Sequence, residues 1–106
     1  MREKKQAMLV MKKMLRAGKK VDRNAYVCSV HSYQEQTESL YLLLEEGELT
    51  DVSLDAVYEC KIREQSCEIQ ATGRIKERYR SEQGPMMEMR VENGFYKNRI
   101  KSVDKR

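Results

Sequence analysis

The chain has no tryptophan, one phenylalanine, one proline and one histidine in 106 residues. With His31 as the only imidazole, a Ser/His/Asp grouping has to be assembled from Ser29, His31 and Asp51, residue types found in most chains. No Gly-x-Ser-x-Gly elbow supports it. The five glycines are isolated, so no glycine-rich loop can cradle a phosphate. The three cysteines are an odd number, which rules out a complete disulfide framework. Cys28 and His31 form one Cys-x-x-His pair, but on an extended strand the two residues point to opposite faces. Structural zinc takes four ligands at short recurring spacings, and no second such pair exists. No metal is therefore expected, and Cys28, Cys60 and Cys67 read as buried free thiols. No apolar run is longer than Leu40–Leu44, far short of the ~20 residues of a membrane span. The apolar patch Ala7–Met11 is interrupted by Lys12 and Lys13 and has no cleavage signature after it. The expected location is the cytoplasm. These absences exclude an enzyme active site and turn the question of function to binding.

Charge is plentiful: 36% of residues are charged, and the net charge is +4. Nine bases and two acids lie between Arg2 and Arg23, and ten acids and two bases between Glu35 and Glu68. Five bases and one acid lie between Lys97 and Arg106. The chain is thus basic at both ends and acidic in the middle. That pattern allows intramolecular attraction between solvated faces, or contact with nucleic acid or an anionic surface.

At this length the chain reads as one domain, residues 1–106. Residues 2–17 are rich in Lys, Arg, Met and Leu, and Met8, Met11 and Leu15 fall at i, i+3 and i+7. This spacing predicts an N-terminal amphipathic helix capped by Gly18. Its stripe needs a cover, either the domain's own sheet or a second copy. A membrane surface is the weaker choice, because the stripe lacks Trp and Phe.

After Gly18 the period changes to two. Tyr26, Cys28 and Val30 share one parity, as do Ala56, Tyr58, Cys60 and Ile62, and then Met87, Met89 and Val91. Residues 39–44 are apolar from Leu40 onward and suit burial on both faces. The longest alternation, 67–80, sets Cys67, Ile69, Ala71, Gly73, Ile75 and Tyr79 against polar neighbours. Straight, it would span ~46 Å, so a bend at Gly73 is expected. Arg63–Ser66 and Ser81–Pro85 read as hairpin turns, and Asn93-Gly94 as a turn before a last strand or short helix. The fold class is mostly β: a small six-stranded antiparallel, split barrel over 24–104, whose closure removes exposed edges.

Two groups of residues stand out as candidate sites. The even positions Arg74, Lys76, Arg78 and Arg80 form a ladder of cations along one expected face, with Tyr79 expected inward. The ladder reads as a solvated face guarding an edge, or as a stripe for an anion or an acidic partner. The poverty of exposed aromatics argues against a platform for single-stranded nucleic acid. The second group is the segment Leu49-Thr-Asp-Val-Ser-Leu-Asp-Ala56 ahead of an alternating strand. It resembles the PilZ family, small β-barrels of bacterial cyclic di-GMP signalling. That family's pattern is Arg-x-x-x-Arg followed by Asp/Asn-x-Ser-x-x-Gly. Here the corresponding residues are Lys19 and Arg23, then Asp51 and Ser53, with Ala56 at the glycine position. Residues 24–104 also resemble the N-terminal domain of flagellar brake proteins. The shared features are the strand around Tyr26–Val30, Leu40–Leu44, Leu54–Cys60, the run Gly73–Tyr79, and the strand Met86–Val91.

The resemblance implies a non-catalytic regulatory binding module related to cyclic di-GMP signalling, acting through a protein partner or a homodimer. Its nucleotide site would be formed by Lys19, Arg23, Asp51 and Ser53. Lysine in place of arginine gives up bidentate and stacking contacts, and Ala56 gives up a close backbone approach. Weak or absent cyclic di-GMP binding follows, and no other cofactor is expected. The alternative from another class is a basic protein that binds nucleic acid or an anionic surface, with no membrane span.

Overall fold

The computed structural model describes residues 5–99, and side chains through Asn93. Among the described residues there are six strands: β1 (Gln6–Met14), β2 (Ala25–Gln34), β3 (Ser39–Leu44), β4 (Ala56–Arg63), β5 (Cys67–Ser81) and β6 (Gly84–Arg99). A single 3-10 turn, η1 (Leu49–Asp51), lies between β3 and β4. Every strand pairing is antiparallel, and the sheet closes into a ring in the order β1-β2-β3-β6-β5-β4, with β4 returning to β1. Closure gives each strand two neighbours, so the backbone donors and acceptors of the central segments find partners without water.

Of the segment 2–17 read as an amphipathic helix, residues 2–4 lie outside the described residues, 6–14 are strand β1 and 15–17 are loop. The apolar residues of β1 also carry a period of two, and this is the period the fold uses: Ala7, Leu9 and Met11 are buried, while Met8 is 39% exposed. Helix propensity over a few residues is a weak preference. Here it is outweighed by a double set of ladder bonds, because β1 joins β2 on one side and β4 on the other. Gly18 does punctuate the chain, with φ at 84°, but it serves a turn after a strand rather than a helix cap. The barrel region therefore begins with β1, not at residue 24. At the other end, Asn93-Gly94 is no turn, since β6 runs through it to Arg99. The pairing of β6 with β5 slips twice there, between Gln70 and Thr72 and again between Thr72 and Gly73. The expected count of six strands survives because these two differences cancel: one strand is added at the front and two are fused at the back.

The remaining alternation holds in part: Val30, Cys67 and Ile69 are half-buried, Ser29 on the opposite parity is buried, and Tyr79 is exposed. Tyr26 and Cys28 on β2, Tyr58, Cys60 and Ile62 on β4, and Met87, Met89 and Val91 on β6 all point into the ring and are buried. On β3, Leu40, Leu42 and Leu44 fill the core, and Leu43 is buried outside the core cluster. Gly73 sits where β6 passes very close. A Cβ at this position would lie 2.0 Å from the Arg90 carbonyl oxygen, so only glycine admits this approach. Cys28, Cys60 and Cys67 are free thiols, the first two buried and the third half-buried. Burial pushes the Cys60 thiol up to about 12 and raises that of Cys28 as well, so neither is a thiolate near neutral pH.

Candidate functional site: a cleft between two loops at one end of the ring

Two loops meet at one end of the ring. The first follows β1 and runs from Leu15 to Asn24. The second follows β3, carries η1 and ends at Asp55. They are joined directly, since Leu15 N donates to Asp55 O at 2.8 Å and the Arg16 guanidinium lies 3.4 Å from the Asp55 carboxylate. The space between them is a cleft of about 660 Å³, with Met11, Met14 and Tyr26 on its apolar side.

Asp22 and Tyr26 order the first loop. The Tyr26 hydroxyl donates to Asp22 Oδ2 and, at 3.3 Å, to Asp51 O in the second loop. Asp22 Oδ1 accepts the Asn24 N–H at 3.0 Å, an Asx turn that leads the chain into β2. Burial, and then the hydrogen bond to the Asp22 carboxylate, raises the Tyr26 phenol well above its ordinary value of 10.0, so it stays a donor.

The second loop has three anchors. Val52 is fully buried and plugs the end of the core. The hydroxyl of Tyr58, also fully buried, accepts the Ser53 N–H at 2.8 Å. Arg78 is the third anchor. Its Nη1 donates to the carbonyls of Leu49 at 3.1 Å, Thr50 at 3.2 Å and Val52 at a shorter distance. These carbonyls belong to the first two residues of η1 and to the residue just after it, so the guanidinium braces the whole turn.

Arg78 reaches this position because the ladder of cations is broken. The β5–β6 register slips between Ile75 and Glu77, with Lys76 as the bulged residue. Before the slip, Ile75 opposes Met89 on the core side. After it, Arg78 opposes Met87 on the core side, and Tyr79 opposes Met86 and is 38% exposed. Arg74 therefore lies on the outer face and Arg78 turns into the ring's end. Arg80, opposite Pro85, sits next to the β5–β6 turn. The four residues do not form one stripe, and Tyr79 does not face inward.

Of the four residues suggested by the PilZ resemblance, Lys19, Asp51 and Ser53 line the cleft. Arg23 is exposed on the same loop but is not among the lining residues. The residues that the sequence did not single out here are Arg16, Asp22, Tyr26 and Asp55. The Asp22-Arg-Asn24 step into a strand was the available signal for the Asx turn, whereas nothing in the sequence marked the slip at Lys76.

The charges lining the cleft are balanced: Arg16, Lys19 and Arg78 against Asp22, Asp51 and Asp55. Most are already engaged. Arg78 is held by carbonyls, Asp22 by Tyr26 and Asn24, and Asp55 by Arg16. Among the described residues, Lys19, the Asp51 carboxylate and the Ser53 hydroxyl proton have no partner, and Ser53 Oγ accepts the Asp55 N–H at 2.9 Å. His31 lies outside the cleft, bonded to Ser32 at 3.1 Å, so Ser53 has no imidazole base beside it. Among the described residues, no three of His, Cys, Asp and Glu are grouped to hold a metal ion. No helix of the described residues is long and apolar enough to cross a membrane.

The fold and site together define a class: a closed ring of six antiparallel strands with a polar cleft between two loops at one end. No protein-family model, curated protein or solved structure matches the chain.

Proposed function

We propose that this chain is a non-catalytic regulatory binding module of the PilZ-related kind, acting through protein contacts and holding cyclic di-GMP weakly or not at all. The observation that supports this reading is the meeting of Lys19, Asp51 and Ser53 in one cleft. The first lies on the loop after β1 and the other two on the loop after β3, so only the closed ring brings them together. That is the relation expected of a PilZ-type site, formed from a leading basic segment and a later Asp-x-Ser segment.

The same cleft accounts for weak nucleotide binding. A cyclic dinucleotide brings two phosphates and two guanine rings, and tight capture uses guanidinium groups that bond and stack at once. Lys19 offers a point charge, Arg78 is committed to three carbonyls, and Arg16 is paired with Asp55. Asp22 and Asp51 add negative charge where phosphate would enter.

The reading is tested by titrating cyclic di-GMP into the full chain, by calorimetry and by amide NMR. The expected result is dissociation in the range of tens of micromolar or weaker, with shifts confined to Lys19, Asp51, Ser53 and their neighbours. Submicromolar binding abolished by Arg23→Ala would make the chain a true sensor. Binding whose shifts lie elsewhere would remove the link to the PilZ pattern.

A further inference from the structure

A row of residues crosses the outer face of four neighbouring strands. Lys13 on β1 opposes Val57 on β4, Val57 opposes Arg74 on β5, and Arg74 opposes Arg90 on β6. Lys13, Arg74 and Arg90 are exposed and Val57 is half-buried. Directly opposed residues on antiparallel strands have Cα atoms about 4.5–5.5 Å apart. Two arginines in that relation repel, and such like-charged pairs destabilise a sheet. Glu88 and Glu92 flank Arg90 two residues away on either side along β6. Among the described residues, no carboxylate forms an ion pair with Lys13, Arg74 or Arg90. Glu59 is taken up by Gln70 and Lys12, and Glu88 accepts a hydrogen bond from Ser39.

Beside the row, Leu15, Arg16, Asp55 and Arg74 line a shallow depression of about 440 Å³, in which Leu15 is 43% exposed. The patch thus combines cations that form no ion pair among the described residues with aliphatic groups, Leu15 and Val57. A single-stranded nucleic acid would be served by exposed rings among the cations, and this row has none. A second copy of the chain carries a net charge of +4, which opposes its long-range approach, and docking through its acidic stretch 35–68 would show as a change of oligomeric state.

We infer that the row Lys13–Arg74–Arg90, with Leu15 beside it, docks an acidic, aliphatic-bearing segment of a partner protein. The inference rests on the reading that this chain works through protein contacts, and it names the face and the chemistry of the partner. Carboxylates of the segment bridge Arg74 and Arg90, for which the planar guanidinium fork is suited. An apolar side chain of the segment covers Leu15. The repulsion built into the free protein is relieved on binding, so part of the selectivity for acidic partners is stored in the sheet itself.

The test uses the full chain and a synthetic peptide alternating Glu and Leu. The comparison ligands are the same peptide with Lys for Glu and a single-stranded oligonucleotide. Amide shifts on adding the Glu peptide are expected at Lys13, Leu15, Arg74 and Arg90, with affinity falling as salt rises. Arg74→Glu and Arg90→Glu should each weaken binding by about tenfold or more. Arg90→Glu should also raise the thermal midpoint by a few degrees, since it turns an opposed like-charge pair into an attractive one. A stabilised protein that has lost its ligand separates a docking role from a structural one. The inference is overturned if the Lys peptide binds as well, if the oligonucleotide binds more tightly than the Glu peptide, or if shifts map to Lys19, Asp51 and Ser53 instead. It is equally overturned if Arg90→Glu leaves both affinity and midpoint unchanged. Because the cyclic di-GMP titration reads different residues with a different ligand, failure of either result leaves the other interpretable.

Discussion

Replacing Arg78 by methionine keeps most of the side-chain stem and removes the guanidinium, which isolates the anchor of the second loop. In the native protein Nη1 serves the carbonyls of Leu49, Thr50 and Val52. A hydrogen bond to a charged group contributes about 1.5–3 kcal/mol. One nitrogen shared among three acceptors does not supply three such bonds, and Arg78 is only half-buried, so solvent screens part of the interaction. Against that, Val52 O beside the fully buried Val52 side chain loses a partner that water does not readily replace. The expected net loss is about 2–3 kcal/mol, or roughly 10–20 °C in thermal midpoint for a domain of this size. The assay is urea unfolding followed by circular dichroism, with amide exchange read at residues 49–53. Those amides should exchange faster even where global unfolding is avoided. Arg78→Lys should recover part of the loss, because an ammonium supplies charge and donors without the planar fork. Arg80→Met, two residues on and exposed, should stay within about 0.5 kcal/mol. If Arg78→Met matches Arg80→Met in both stability and exchange, the guanidinium is not what holds the loop, and the account of the cleft given above fails.

Gly73→Ala should prevent stable folding or cost more than about 3 kcal/mol, because the added Cβ meets backbone of β6 rather than a movable side chain. Expression yield and thermal midpoint read this directly. Tyr58→Phe removes the acceptor of the Ser53 N–H and should cost about 1 kcal/mol in urea titrations, with faster exchange at Ser53. Deleting β1 opens the ring and bares the edges of β2 and β4, so the truncated chain should aggregate rather than fold, as judged by light scattering. Stability should also fall above about pH 9. Cys28, Cys60 and Tyr26 have raised values in the folded state, so over that range the unfolded chain has lost protons that the folded one keeps. Each group contributes a slope of up to about 1.4 kcal/mol per pH unit, lost as pH rises toward the folded values. A urea midpoint that stays flat from pH 8 to pH 11 would contradict this.

Much of this fold is visible in the sequence, and the parts that are not share a cause. Alternation of single residues marks β2, β4, β5 and the first half of β6, because burial on one face of a sheet leaves a period of two that needs no knowledge of neighbours. The continuous apolar run 40–44 marked a strand buried on both faces. The segment 6–14 carried two periods at once. Ala7, Leu9 and Met11 spell a strand, while Met8, Met11 and Leu15 spell a helix, and the composition favours the helix. Only the ladders to β2 and β4 decide between them, and those are long-range contacts. Bulges are illegible for a related reason. The slip at Lys76 is set by how β6 must lie against β5, and it sends Arg78 into the cleft and Tyr79 outward without any local signature. Lys19, Asp51 and Ser53 were found through a spacing resemblance, whereas Arg16, Asp22, Tyr26 and Asp55 join them only through the closure of the ring.

The two loops of the cleft differ in how firmly they are held, and that difference bears on what the cleft can bind. The 49–55 loop has anchors in Val52, Tyr58 and Arg78, so Asp51 and Ser53 are positioned before any ligand arrives. The 15–24 loop is tied at its ends, at Leu15 to Asp55 and at Asp22 to Met11 and Tyr26. Between those ends, residues 17–21 are exposed, and among the described residues their one backbone tie is Lys19 N to Arg16 O at 3.3 Å. Lys19 therefore lies on the less constrained side, and fixing a residue's backbone costs about 1–2 kcal/mol. A ligand that needs Lys19 and Arg23 held in place has to supply that ordering from its own contacts, and about 1.4 kcal/mol is tenfold in affinity. Val21→Pro tests this argument. Val21 is exposed, and no hydrogen bond to its N–H is present among the described residues, so proline restricts the loop without removing a known bond. If the cost of ordering this loop limits affinity, Val21→Pro should tighten cyclic di-GMP binding severalfold while leaving the shifts at Asp51 and Ser53 in place. Unchanged affinity with an intact fold would locate the weakness in the chemistry of Lys19 itself, and Lys19→Arg should then be the substitution that restores binding.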